Sequence, residues 1–190
     1  MCGITGFIPL DVTSDISLHE EIKSITQELF HRGPDAIGTW VDEKYKVALG
    51  HRRLSILDLS KEGKQPMSSV SEQFIIVFNG EIYNHLLLRT ELDEFYSKNK
   101  ENKKLKWRGT SDTETLLACI QAWGVENTLP KLVGMFAFAL WDQKFCSLTI
   151  ARDRFGEKPL YFGWVENSFV FASELKALKK ISDFNNDICP

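Results

Sequence analysis

The chain has 190 residues, 43% of them hydrophobic and 12% aromatic, enough to bury a single sizeable core, so one compact domain is expected. A formal net charge of -3 offers no electrostatic footprint for nucleic acid or an anionic membrane surface. No run approaches the roughly 20 apolar residues of a membrane span, and no basic segment precedes an apolar one at the N-terminus, which points to the cytoplasm.

In chain order, "MCGITGFI" predicts a short buried strand over 1–8, with Ile4, Phe7 and Ile8 among small residues before Pro9 breaks the run. Ser17 and Glu20 read as a capping box, and Ile22, Ile25 and Leu29 recur at helical spacing up to a stop at Gly33-Pro34. "HRGPD" is then a loop. Strands are expected around 38–41 and 45–50, the second on the alternation of Tyr45, Val47 and Leu49 with Lys46 and Ala48. "EQFIIVFNG" reads as a fully buried strand running into a tight turn. A helix over about 85–97 gives way to the polar run "SKNKENKKLK", a solvated loop.

Ser111 with Glu114 makes a second capping box, opening an apolar helix through Leu116, Leu117 and Ile120 that ends at Gly124. In "MFAFALWD", Phe136, Phe138 and Leu140 alternate with Ala137, Ala139 and Trp141 at a period of two. Strands near 145–151, 159–164 and 168–172 lead to a short helix from Ser173. Strands in consecutive runs on either side of grouped helices favour α+β over a regular βαβ alternation.

The chemistry-bearing motifs are few. The sequence contains no GxxxxGK[ST], GxGxxG or GxSxG. Neither the histidines (His19, His31, His51, His85) nor the scattered cysteines (Cys2, Cys119, Cys146, Cys189) show metal-ligand spacing, and reduced thiols are expected rather than disulfides. Cys2 is the best nucleophile candidate. Once Met1 is trimmed, its own α-amine, with a pKa of roughly 7.7–8.0, supplies a general base without any histidine. A retained Met1 turns that amine into an amide. Asn79-Gly80 follows a buried strand, where an amide side chain and an unhindered N–H could converge on an oxyanion, although Asn-Gly is also the commonest short hairpin turn. Either Arg52 or Arg53 should face the interior, where an arginine needs an anionic partner. Asp112 stands at a helix start, as a dipole partner or as a ligand.

Taken together, "MCGITGF", "HRGPD", "GHRRLSILDLS", "QPM", "FNGEIYNH", "TSDTE", "GMFAFALWD", "ARDRFGEKPLYFG" and "FASELKAL" occur in the order seen in class II glutamine amidotransferases. The set is most similar to the glutaminase half of glutamine-hydrolysing asparagine synthetases and runs from Cys2 to about Lys179. The resemblance implies an N-terminal-nucleophile hydrolase with a four-layer αββα sandwich. It also implies Cys2 as nucleophile, Asn79 and Gly80 as oxyanion hole, Arg53 on the substrate α-carboxylate, and Asp112 with Glu81 on its α-amino end. Backbone groups of Leu54, Ser55, Ile56 and Leu57 are expected to line the same pocket. L-glutamine would be hydrolysed to glutamate and ammonia, which would feed asparagine synthesis from aspartate. No cofactor is implied for this domain, since ATP and magnesium belong to a synthetase domain, expected in cis or in trans and absent from this chain. A homodimer of the full-length enzyme is compatible. The alternatives are a sister amidotransferase with another acceptor, or a silent glutamine-binding or docking module.

Overall fold

A computed structural model describes residues 1–9, 17–55, 60–98, 105–181 and 184–185, among which nine strands and five α-helices form. The first half carries β1 (Gly3–Pro9), α1 (Leu18–Gln27), β2 (Ala36–Asp42), β3 (Val47–Arg53), β4 (Met67–Ser68), β5 (Phe74–Ile82) and α2 (His85–Lys98). The second half carries α3 (Asp112–Trp123), α4 (Val125–Thr128), β6 (Gly134–Asp142), β7 (Ser147–Arg152), β8 (Tyr161–Val165), β9 (Ser168–Ala172) and α5 (Leu175–Leu178). Two sheets result, in the orders β2-β3-β1-β9-β8 and β4-β5-β6-β7, and every pairing is antiparallel.

The period-two pattern of each strand decides what lies on either face. On β5 and β6, Ile76, Phe78, Ile82, Phe136, Phe138 and Leu140 pack on Leu88 and Leu92 of α2 and on Leu116, Leu117 and Ile120 of α3. Ile75, Val77, Ala137, Ala139 and Trp141 point the other way and meet Ile4, Val47, Leu49 and Phe171 of the first sheet. The outer face of that sheet, with Phe7, Ala48, Val170 and Ala172, is covered by Ile22 and Ile25 of α1 and by Ala177 and Leu178 of α5. The layers are therefore helix, sheet, sheet, helix, as the α+β αββα expectation requires.

Several local readings need correcting. Ser17 caps α1 through its carbonyl, which accepts the Glu20 and Glu21 N–H groups at 3.0 Å, while its hydroxyl makes no cap bond. That helix ends at Gln27, and the stretch before Gly33 tightens into a 3-10 turn over Phe30–Arg32. Pro9 does not break β1 but closes it, opposite Ser168. Lys46 lies in the turn before β3 with φ of 57°. Asn79-Gly80 forms no turn: β5 continues to Ile82, with Asn79 opposite Ala137 and Gly80 opposite Phe136. Gly80 is required there by close approach, because a Cβ would stand 2.7 Å from the Phe136 Cα and strike the Met135 carbonyl oxygen. The second capping box is half made. The Ser111 hydroxyl accepts the Glu114 N–H at 3.3 Å, but the Glu114 carboxylate turns away to accept the N–H groups of Arg108 at 2.8 Å and Gly109 at 3.0 Å. Gly124 ends α3 with φ of +78°, as read from the sequence. Part of the basic run, residues 99–104, lies outside the described residues.

Candidate active site

The site sits where β1, β3 and β5 present their ends between the two sheets. Gly3 pairs with Arg52, so Cys2 and Arg53 are the next residues out along that ladder. Parity places both on the inner face, in line with Ile4 and with Leu49. Asn79 and Glu81 share that inner face on β5, in line with Ile75 and Val77. Around this junction lies a cavity of about 160 Å³ lined by Cys2, Arg53, Leu54, Ser55, Asn79, Gly80, Glu81 and Asp112, among others. Every described residue of the expected site is thus gathered in one place. Ile56 and Leu57 lie outside the described residues.

The same parity sends Arg52 to the outer face. There its Nε donates to the Gly33 carbonyl at 2.9 Å and its guanidinium lies 4.8 Å from the centre of the Phe30 ring. The buried arginine is held by a carbonyl and an aromatic face, so the expected anionic partner is corrected. Arg53 reaches the cavity and donates from Nη1 to the Ser60 carbonyl at 2.9 Å.

Cys2 is half-buried, and its Sγ faces the backbone of Leu54, donating to the carbonyl at 3.6 Å and accepting the N–H at 3.4 Å. Burial is the largest influence on this thiol and pushes it above its ordinary value. The Leu54 N–H, the positive chain terminus and Arg53 pull it down, while Asp112 adds to the rise. Behind Cys2, Arg32 donates from Nε to its carbonyl at 2.9 Å and from Nη1 to Glu174 at 2.9 Å, which ties "HRGPD" to "FASELKAL" across the fold.

Two residues of β5 that carry candidate donors, Asn79 and Gly80, line the cavity. Asn79 is 1% exposed, and its Nδ2 is buried with no hydrogen-bond partner among the described residues. Along the strand, the N–H groups of Phe78 and Ile82 turn away from β6, donating to Gln65 Oε1 at 2.6 Å and to Asp112 Oδ2 at 2.9 Å. The Gly80 N–H lies between them in the same alternating row and faces the cavity. Opposite, Asp112 opens α3 and accepts the Ile82 and Thr113 N–H groups, each at 2.9 Å. Burial is the leading influence on its carboxyl and holds it above the usual carboxylate value. His51, on the inner face of β3, is fully buried and lowered to about 3, so it is neutral and donates from Nε2 to the Phe78 carbonyl at 3.2 Å. It buttresses the site and offers no base.

The sequence reading did not single out Gln65, Thr113, Met135 or Lys158, which also line the cavity. Gln65 pins the Phe78 N–H and reaches Thr113 with Nε2 at 3.4 Å, and its only sequence signal was the "QPM" block. Among the described residues no three His, Cys, Asp or Glu side chains gather as a metal site would need. No helix among them is long and apolar enough to cross a membrane.

Comparison with known proteins finds relatives over most of the chain. A family model for the glutamine amidotransferase domain matches residues 1–189. Asparagine synthetase [glutamine-hydrolyzing] 1 of Bacillus subtilis is 44% identical over 181 residues, covering 94% of this chain and 26% of that protein. Amidase chry2 of Gibberella zeae is 38% identical over 187 residues, covering 93% of this chain and 26% of that protein. The chain thus spans about a quarter of the length of these curated relatives. A solved glutamine phosphoribosylpyrophosphate amidotransferase from B. subtilis superposes with a TM-score of 0.74 at 22% identity, over 94% of this chain and 43% of that one, which supports the sandwich fold.

Proposed function

The chain belongs to the glutamine amidotransferase domain family, and from that premise we propose that it cleaves the side-chain amide of L-glutamine at Cys2. One observation supports the reading: Asn79, whose buried Nδ2 has no partner among the described residues, lines the same cavity as Cys2. An unsatisfied buried donor costs free energy unless a ligand uses it, and a tetrahedral oxyanion is such a ligand.

In the proposed reaction Met1 has been removed and the freed α-amine takes the thiol proton as sulfur adds to the amide carbon. Asn79 Nδ2 and the Gly80 N–H receive the oxyanion. Collapse breaks the carbon–nitrogen bond, the ammonium form of the amine protonates the leaving nitrogen, and ammonia departs from a γ-glutamyl thioester. Water, deprotonated by the same amine, then releases glutamate and restores the thiol. Arg53 pairs with the substrate carboxylate, and Glu81 with Asp112 receives its ammonium group, so that the amide is oriented before attack.

The ammonia feeds ATP-dependent conversion of aspartate to asparagine, carried out in the cytoplasm by a synthetase domain in cis or in trans. The 44% identity to an asparagine synthetase favours this acceptor. The 38% identity to a protein named as an amidase keeps a second acceptor class in view. ATP and magnesium belong to the synthetase step. The test is ammonia release from glutamine by protein shown to begin at Cys2, against Cys2→Ala. Equal release from both removes the nucleophile assignment.

A further inference from the structure

Lys158 is a buried cation that the mechanism above leaves without a task. With Met1 in place it is 5% exposed, lines the cavity with Cys2 and Asn79, and makes no ion pair among the described residues. Its ammonium instead donates to the Met1 Sδ at 3.4 Å, and a thioether is a weak acceptor. Burying an ammonium without an anion is costly, so its placement calls for a compensating use.

The loop between β7 and β8 fixes that placement. The Asp153 carboxylate accepts the N–H groups of Phe136 at 3.2 Å, Phe155 at 3.1 Å, Glu157 at 2.9 Å and Lys158 at 3.0 Å. Arg152 donates from Nε to the Lys158 carbonyl at 2.6 Å and from Nη2 to the Gly156 carbonyl. By covalent reach, the Met1 sulfur lies within about 6 Å of the Cys2 nitrogen, which puts the ammonium within about 10 Å of it.

We propose that Lys158 is the fixed positive charge that keeps the Cys2 α-amine in its neutral, proton-accepting form once Met1 is gone. The inference rests on the glutaminase reading for its purpose but not for its test. A nearby like charge disfavours the protonated amine, whereas a carboxylate favours it. The other charged and titratable groups around this end are Arg53 of β3, Glu81 of β5, Asp112 of α3, and His85 of α2, which adjoins the two carboxylates. Arg32 and Glu174 are paired with each other behind the Cys2 carbonyl. Removal of Met1 also deletes the sulfur that accepts from the Lys158 ammonium, leaving that donor without this partner. The lysine acts on the base and not on the substrate, which makes it a positioning charge.

The experiment uses protein confirmed by intact mass to begin at Cys2, as parent, Lys158→Met and Lys158→Arg. Two profiles against pH are recorded: kcat/KM for glutamine, and the rate at which cyanate carbamylates the Cys2 amine, which follows its neutral fraction without turnover. Lys158→Met should move the midpoint of both profiles up by about one pH unit, and Lys158→Arg should restore it. A Lys158→Met profile that superposes on the parent, or a Lys158→Arg profile displaced as far as Lys158→Met, overturns the proposal. Lys158→Gln replaces Lys158→Met where that variant does not fold. A parent that is carbamylated with the expected profile yet releases no ammonia sinks the glutaminase reading and leaves the charge effect measured.

Discussion

His51 ties the stability of the fold to pH in a way that can be worked through from its surroundings. It is 1% exposed between the sheets, pairs with Ile4 across the ladder, and its Nε2 donates to the Phe78 carbonyl at 3.2 Å. Burial is the main cause that lowers it from 6.5 to about 3, with Arg53 and Arg52 adding to the fall. Between those values the unfolded chain binds a proton that the folded chain refuses. The stabilisation is therefore complete above 6.5 and is lost as pH falls towards 3. At about 1.4 kcal/mol per unit, this one side chain should remove about 2 kcal/mol of stability between pH 7 and pH 5. Urea unfolding of the parent and of His51→Gln, at both pH values, isolates it, because glutamine keeps a donor for Phe78 without titrating. The variant should lose about 2 kcal/mol less than the parent over that interval, at an unchanged m value. Equal losses in the two proteins would refute the reasoning.

Other expectations follow from the site and the helix layer. Asn79→Ala should lower kcat by about 10² to 10³ with KM little changed, and steady-state kinetics that show a raised KM at constant kcat would contradict its oxyanion role. The same variant should unfold at nearly the parental urea concentration, since Nδ2 has no hydrogen bond to lose. Arg53→Met should raise KM for glutamine by about tenfold or more through the lost carboxylate pairing, and an unchanged KM would exclude Arg53 from substrate binding. Glu114→Ala removes a buried carboxylate that stands 3.6 Å from Arg89 and accepts the N–H groups of Arg108 and Gly109, and should cost about 3 kcal/mol. A loss below about 1 kcal/mol in the same unfolding assay would show that the network is not stabilising.

The layers were legible because most strands carry a clean period of two and the helices an apolar face. "MFAFALWD" splits its phenylalanines and alanines between opposite sides of one sheet, as its alternation says. Asn79-Gly80 was the instructive exception. The dipeptide favours a turn locally, but the ladder with Ala137 and Phe136 keeps it extended, and the only cue to that in sequence was the family pattern around it. Choosing Arg53 over Arg52 came from resemblance, and the physical reason is parity on β3, which needs the register with β1 to be known. Lys158 stayed hidden because a lysine in a polar loop reads as solvated, and only the Asp153 and Arg152 contacts turn that loop inward.

The central claim is that a free N-terminal cysteine attacks glutamine, and covalent trapping addresses it most directly. Protein shown to begin at Cys2 is treated with a diazo-ketone analogue of glutamine, digested, and mapped by mass spectrometry while ammonia release is followed in parallel. A single label on the Cys2 sulfur, rising in step with the loss of ammonia release, is the predicted result. Inactivation with the label on any other residue, or a fully labelled Cys2 in protein that still turns over, would contradict the account.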